Sequence, residues 1–379
     1  MASNFENRQE RPRDVRTRLT RCMQVGRPAM IWGPPGIGKS ELIAEIGKDT
    51  GRPVIDMRLL LLEPTDIKGI PYFDPATRTM KWAHPADLPV HIKLKEVKAA
   101  EDFAATFPES VTSEEAEKAR EAAVKIRAAF DLSRAILFLD EINAAPPSVQ
   151  AAAYQLILNR RVGEYRLPDG VSMVCAGNRD SDKGVTYRMP SPLANRLVHI
   201  EMTSNFEDWQ KWAIGSRVHA DVVGFLSHHK QRLFGFDPKS PDKAFATPRS
   251  WVFVSQLIDD SLPESMNTSL VAGTVGEGNA TEFTAHRRVA AKMPKSEDVL
   301  LGREKNLVVK DLSAMYSLTI SLCYTLQEWV AKAKAKEDGM DMKIWHECVD
   351  NFFEFMTGRA IVLDGGRTLP RFPRIGITG

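Results

Sequence analysis

At 379 residues the chain is longer than one ordinary hydrophobic core supports, and two units of usual size are expected, one larger than the other. Hydrophobic residues at 43% and charged residues at 26%, with 51 Lys and Arg against 49 Asp and Glu, describe a soluble globular protein without a dominating electrostatic field. That balance neither implies nor excludes nucleic acid.

The cysteines, Cys22, Cys175, Cys323 and Cys348, are scattered without a CxxC spacing, which argues against metal and disulfide frameworks and suits a reducing cytosol. The opening "MASNFENRQERPRDVR" is polar and charged where a secretory leader needs an apolar core. The longest uncharged stretch, Leu312 to Gln327, is too short and too rich in hydroxyls to span a bilayer. A cytoplasmic location is expected.

Residues 1–14 are polar with several arginines and read as a mobile arm, followed by a short helix around Val15 to Val25 and a first strand, "PAMIW". The runs "PVIDMRLL", "AILFLDE" and "GVSMVCAGN" are apolar, of strand length and bounded by turn residues. They alternate with helical patterns, which predicts a parallel sheet covered by helices on both faces. Two segments interrupt this rhythm and read as insertions. Residues 70–83, "IPYFDPATRTMKWA", form two aromatic-bearing arms around a "DPATR" turn, the pattern of a hairpin. Residues 91–131 are charged and alanine-rich, with Thr112 and Glu115 spaced as a capping box before a helix through Phe130; their balanced charges fit a solvated face.

After Asn205 helical periodicity takes over, in "DWQKWA", "DVVGFLSHH", "SWVFVSQLI", "LSAMYSLTISLCYTLQEWVAKAKAK" and "KIWHECVDNFFEFM", while the glycine-rich "VAGTVGEGNATEF" reads as a loop. The expected units are therefore 15–205 (α/β) and 206–357 (all α), with 358–379, ending in "GRTLPRFPRIGITG", as a C-terminal arm. His228 and His229 read as helix surface and not as metal ligands.

"GPPGIGKS", residues 33–40, lies between the first strand and the helical "ELIAEIGKDT". Gly33, Pro34, Pro35, Gly36, Ile37 and Gly38 supply a loop in which backbone N–H groups converge on phosphate oxygens, and Glu41 continues into a helix whose N-terminus favours anions. Lys39 reaches the β and γ phosphates of a nucleotide such as ATP, and Ser40 is placed to ligate Mg²⁺. In "AILFLDEIN" an apolar strand delivers Asp140 and Glu141 at its carboxyl end, where ligands of open α/β sheets bind. Asp140 suits the Mg²⁺ shell and Glu141 suits orientation or deprotonation of an attacking water, a pairing that points to hydrolysis.

"GPPGIGKS" and "LFLDEIN", followed by "APPSVQAAAYQLILNRRVGEYRLPDG", resemble the AAA+ ATPases of the MoxR type, a branch related to the magnesium chelatase, McrB and dynein motors. The resemblance spans roughly residues 15–255. It implies an AAA+ P-loop αβα sandwich with a parallel sheet, followed by a smaller all-α lid, ATP held between the two, and a ring, usually a hexamer. It further implies that Asn178, ending "VCAGN", is sensor 1; that Arg196, in "SPLANRLVHI", is an arginine finger serving the neighbouring subunit; and that Arg249, in "TPRSW", is sensor 2. Arg188, in "TYRMP", competes with Arg196 for the finger. "PTDIKGIPYFDPATRTMKWAHPADLP" resembles the family's inserted hairpin, so Tyr72, Phe73 and Trp82 either grip a partner or pack on the subunit's own sheet. "RRVGEYRLPDGVSM" reads as a second hairpin turning at Pro-Asp-Gly.

The expectation is an ATP-hydrolysing ring that remodels or activates a protein partner, and the resemblance implies a client or adaptor bearing a von Willebrand factor A domain. Two rivals stand beside it. A nucleic-acid motor of the McrB kind would use Lys68, Arg78 and Lys81 of the hairpin region, and a nucleotide-dependent scaffold would hydrolyse little, against which Glu141 and Asn178 argue.

Overall fold

The computed structural model describes residues 9–108, 111–182, 187–304, 311–335 and 342–356. The chain divides into two compact units, Met1–Thr203 and Ser204–Gly379. The proposed C-terminal arm lies outside the described residues.

In the first unit the elements run β1 (Gln9–Glu10), α1 (Pro12–Gln24), β2 (Ala29–Trp32), α2 (Lys39–Thr50), β3 (Val54–Arg58), α3 (Pro64–Lys68), β4 (Ile70–Asp74), β5 (Thr79–Ala83), α4 (Leu94–Ala105) and α5 (Glu114–Leu132). They continue with β6 (Ile136–Asp140), α6 (Pro147–Asn159), β7 (Arg161–Val162), β8 (Tyr165–Arg166), β9 (Ser172–Gly177), α7 (Ser191–Ala194) and β10 (Val198–Met202). Six strands form one parallel sheet in the order β1-β10-β2-β9-β6-β3. Parallel neighbours need long crossovers, and helices supply them.

One parity of the central strands, Met30, Leu137, Leu139, Met173 and Cys175, joins Val149, Ala153 and Leu156 of α6 in a buried cluster. Against the other face pack α1 and α2, which touch β9, β10, β3 and β6. Burial on both faces is why these strands read as continuous apolar runs and not as alternating ones. Burial pushes the Cys175 thiol up to about 12.

The amino ends of β6 and β9 are fastened by Arg52. Its guanidinium donates to the carbonyls of Arg134 (2.6 Å), Ala135 (3.0 Å) and Gly170 (3.0 Å) and to Ser172 Oγ (2.9 Å).

Several expectations need correction. Residues 9–14 are not part of an arm: Gln9 and Glu10 pair in parallel with Glu201 and Met202, and α1 begins at Pro12, where proline suits the first helical turn, while residues 1–8 lie outside the described residues. The strand in "RLVHI" was hidden because its run is short and contains His199. Ser113, not Thr112, caps α5, its hydroxyl accepting from Ala116 N at 3.3 Å, and α5 packs on α4. The second hairpin turns at Gly163 and Glu164, pairing Val162 with Tyr165, while Pro168 to Gly170 leads into β9.

The second unit contains α8 (Phe206–Gly215), α9 (Ala220–His228), α10 (Pro248–Leu257), α11 (Glu264–Val275), α12 (Glu277–Ala290), α13 (Ser296–Leu300), α14 (Leu312–Ala335) and α15 (Met342–Met356). The glycine-rich stretch is therefore no loop. Only Gly276, at φ +91°, separates α11 from α12, and Ala272 and Ala280 on either side of it favour helix. Phe225, Trp251 and Phe283 meet at 5.5–5.7 Å between ring centroids at the centre of this unit. The α9 to α14 contact is close enough to demand glycine at 224, where a Cβ would stand 2.1 Å from Ser317 Oγ. His229 lies against the Phe225 ring, and His228 is exposed. Among the described residues no helix is long and apolar enough to cross a membrane.

Replacing Arg52 by Ala leaves several carbonyls short of a donor and should destabilise the first unit by about 2–4 kcal/mol. Thermal unfolding followed by circular dichroism checks this. A midpoint lowered by about 5 °C or more is expected, and an unchanged midpoint would show that the Arg52 contacts contribute nothing.

Candidate nucleotide site

Three strand ends make the site. Because β9 lies between β2 and β6, the residues that leave their carboxyl ends stand side by side: Gly33 after β2, Asn178 after β9 and Asp140 closing β6. Gly33 N donates to Gly177 O at 3.3 Å, which joins the first two.

The loop from Gly33 to Gly38 turns through positive φ at Gly36 (+75°) and Gly38 (+92°), conformations that a side chain resists. Gly38 is the cap of α2, so the first free N–H groups of that helix open onto the loop. Lys39 Nζ donates to Gly33 O (2.7 Å), Pro34 O (3.1 Å) and Asn178 Oδ1 (2.9 Å), which ties loop, lysine and the end of β9 together. Ser40 Oγ donates to Asp140 Oδ2 at 3.1 Å. Glu41 follows on the first turn of α2.

Glu141 is held in the left-handed region at φ +56°, unusual for a residue with a side chain. Its N–H donates to Asp140 Oδ1 at 2.9 Å, and its carbonyl accepts from Ala144 N and Ala145 N. Strain of this kind costs on the order of 1–3 kcal/mol and is held by the contacts around it. On the neighbouring strand Asp56 is pushed above the usual carboxylate range, first by burial and then by the charge of Asp140.

Two features were not read from the sequence. Asn143 is buried; its side-chain Nδ2 donates to Asn178 O at 2.8 Å and its backbone carbonyl accepts from Tyr187 N at 2.6 Å. An asparagine inside the apolar "EINAAP" was the available signal. Trp32 Nε1 donates to His199 Nδ1 at 2.9 Å, across strands whose pairing the sequence reading had not identified.

The structure thus brings together Gly33 to Ser40, Asp140, Glu141 and Asn178. Arg196 is exposed on the turn after α7, with Nη1 3.4 Å from Leu158 O, and Arg188 is also exposed. Arg249 belongs to the second unit, exposed in the first turn of α10, beside the capping box of Thr247 and Ser250. The aromatics of β4 and β5 do not pack on the sheet: Tyr72 is 47% and Phe73 58% exposed, with Ile70 and Met80 also open. Lys81 is ion-paired with Asp74 across this hairpin.

Residues 29–202 match the model of the ATPase family associated with various cellular activities (AAA). Among solved structures, a Cytophaga hutchinsonii protein provisionally described as an ATPase overlaps at 12% identity and a TM-score of 0.31, over 77% of this chain. The chain spans only 62% of that protein's length. Two variants of RuvB from Thermotoga maritima overlap at 13% and 12% identity with TM-scores of 0.36 and 0.33, each over 82% of this chain and 81% of theirs. At such values these overlaps carry no argument. A comparison with curated proteins gives no match.

Lys39→Ala removes the only side-chain cation of the loop and should weaken ATP binding at least about tenfold, roughly 1.4 kcal/mol. Titration with a fluorescent ATP analogue reads this, and unchanged affinity would mean that the loop does not hold phosphates. By its sheet, its phosphate loop and the family match, the first unit carries an AAA ATPase domain over residues 29–202.

Proposed function

We propose that the protein is an ATP-hydrolysing motor of the MoxR type, which assembles into a ring and remodels or activates a protein partner. The observation that carries the reading is the 3.1 Å contact between Ser40 Oγ and Asp140 Oδ2, which joins the phosphate loop to the acid pair.

Backbone N–H groups of the loop and Lys39 bind the phosphates. Among the described residues no group of three or more His, Cys, Asp or Glu converges on a metal position. A Mg²⁺ would therefore be held by Ser40 and Asp140 with phosphate and water oxygens, the usual manner for this ion. When bound, Mg²⁺ neutralises charge on the β and γ phosphates. Glu141 orients the attacking water and accepts its proton, and Asn178 positions that water. Arg196 of the neighbouring subunit stabilises the charge that develops, and the sensor 2 role of Arg249 rests on family resemblance. The exposed apolar residues of the β4 and β5 hairpin favour a protein client, and the Lys81 to Asp74 pair removes one cation from the nucleic-acid reading. The hexamer and the von Willebrand factor A partner rest on family resemblance alone.

Turnover per protomer should rise with protein concentration and level off as rings form. Arg196→Ala should lower kcat at least about 100-fold with ATP affinity unchanged, and added DNA should not stimulate. Turnover that is independent of concentration, together with an Arg196→Ala variant as active as the parent, would overturn the ring reading.

A further inference from the structure

Arg196 can serve a neighbour only if its turn is held in place, and the structure contains a connection from the phosphate-loop strand to that turn. Trp32 is the last residue of β2, directly before Gly33. Its indole N–H has no acceptor capacity, so in the 2.9 Å contact with His199 the imidazole Nδ1 must accept. With Nδ1 accepting, the neutral ring carries its proton on Nε2, and Nε2 donates to Ala194 O at 2.8 Å. The two ring planes are nearly parallel, inclined by 11° with centroids 6.0 Å apart.

Ala194 O is no arbitrary acceptor. It also receives Leu197 N at 3.3 Å, closing the turn that contains Asn195 and Arg196, while Arg196 N is bound to Leu193 O at 2.9 Å. The imidazole thus pins the carbonyl on which the arginine-bearing turn closes, and it does so from β10, a strand paired in register with β2. Geometry of this kind matters for a group acting across an interface, because misplacement by about 1 Å can cost up to about 100-fold in rate.

We propose that His199, fixed in its tautomer by Trp32, is a positioning residue that sets Arg196 for the adjoining subunit's nucleotide site. This rests on the reading of Arg196 as a finger acting in trans, and the test separates the two.

Full-length Arg196→Ala protein, with an intact nucleotide site and no finger, serves as acceptor. Lys39→Ala protein, with an intact finger and a crippled site, serves as donor. Phosphate release from their equimolar mixture should exceed that of either alone. If it does not, the finger reading fails and the inference falls with it. If it does, a Lys39→Ala/His199→Phe donor should restore on the order of tenfold less activity, whereas an Arg196→Ala/His199→Phe acceptor should be activated as fully as its parent. A merely structural role would impair both sides of the mixture, so equal losses, or no loss in the donor, overturn the proposal. Should the donor double variant fail to assemble by sedimentation, Lys39→Ala/Trp32→Phe removes only the indole donor and carries the same test. Undiminished donation by it would also overturn the proposal.

Discussion

The parallel register of β2, β9 and β6 is the constraint on which the nucleotide site depends. Gly33, Asn178 and Asp140 are 33, 178 and 140 residues into the chain, and they meet because three neighbouring strands end at one level. A slip of one residue would carry Asp140 about 3.3 Å along its strand. That is the whole length of the 3.1 Å contact with Ser40, so register and site cannot vary independently. Arg52 acts at the opposite end of the same strands, where one guanidinium bridges carbonyls preceding β6 and β9. A parallel sheet buried on both faces has little polar chemistry of its own to fix its register, and the half-buried guanidinium of Arg52 adds some at the strand ends.

At the working end the chain holds conformations that it would not adopt locally. Glu141 sits at positive φ without glycine's freedom, and Asn143, with its amide on Asn178 O, lies beneath the turn that follows. The Asn143 bond fixes the end of β9. At Glu141 the violated local preference falls where the chemistry is expected, a common trade between local stability and function. The β4 and β5 hairpin departs in another way, because it exposes the aromatic and aliphatic side chains that an isolated domain would bury.

The nucleotide loop and the strand that follows it with Asp140 were legible because each requirement is local: glycines where the backbone must turn, an apolar run where a strand is buried, acids at its end. The order of the strands was not legible, and with it the neighbours of Trp32. His199 looks like an ordinary polar residue in "RLVHI" until β10 is seen to pair with β2. Thr112 and Glu115 have the spacing of a capping box, yet the path of the chain makes Ser113 the cap. The glycines of "VAGTVGEGNATEF" suggested a loop because glycine disfavours helix by roughly 1 kcal/mol; packing of α11 on α12 outweighs that cost, and a single glycine makes the break.

The central claim is that the loop, Ser40, Asp140 and Glu141 form one hydrolytic site. Single-turnover cleavage of ATP by the full-length protein and by Glu141→Gln, each saturated with Mg²⁺ and ATP, tests it most directly. The geometry predicts that Glu141→Gln binds ATP as the parent does and cleaves it at least about 100-fold more slowly. Cleavage at the parent's rate by Glu141→Gln would contradict the assignment.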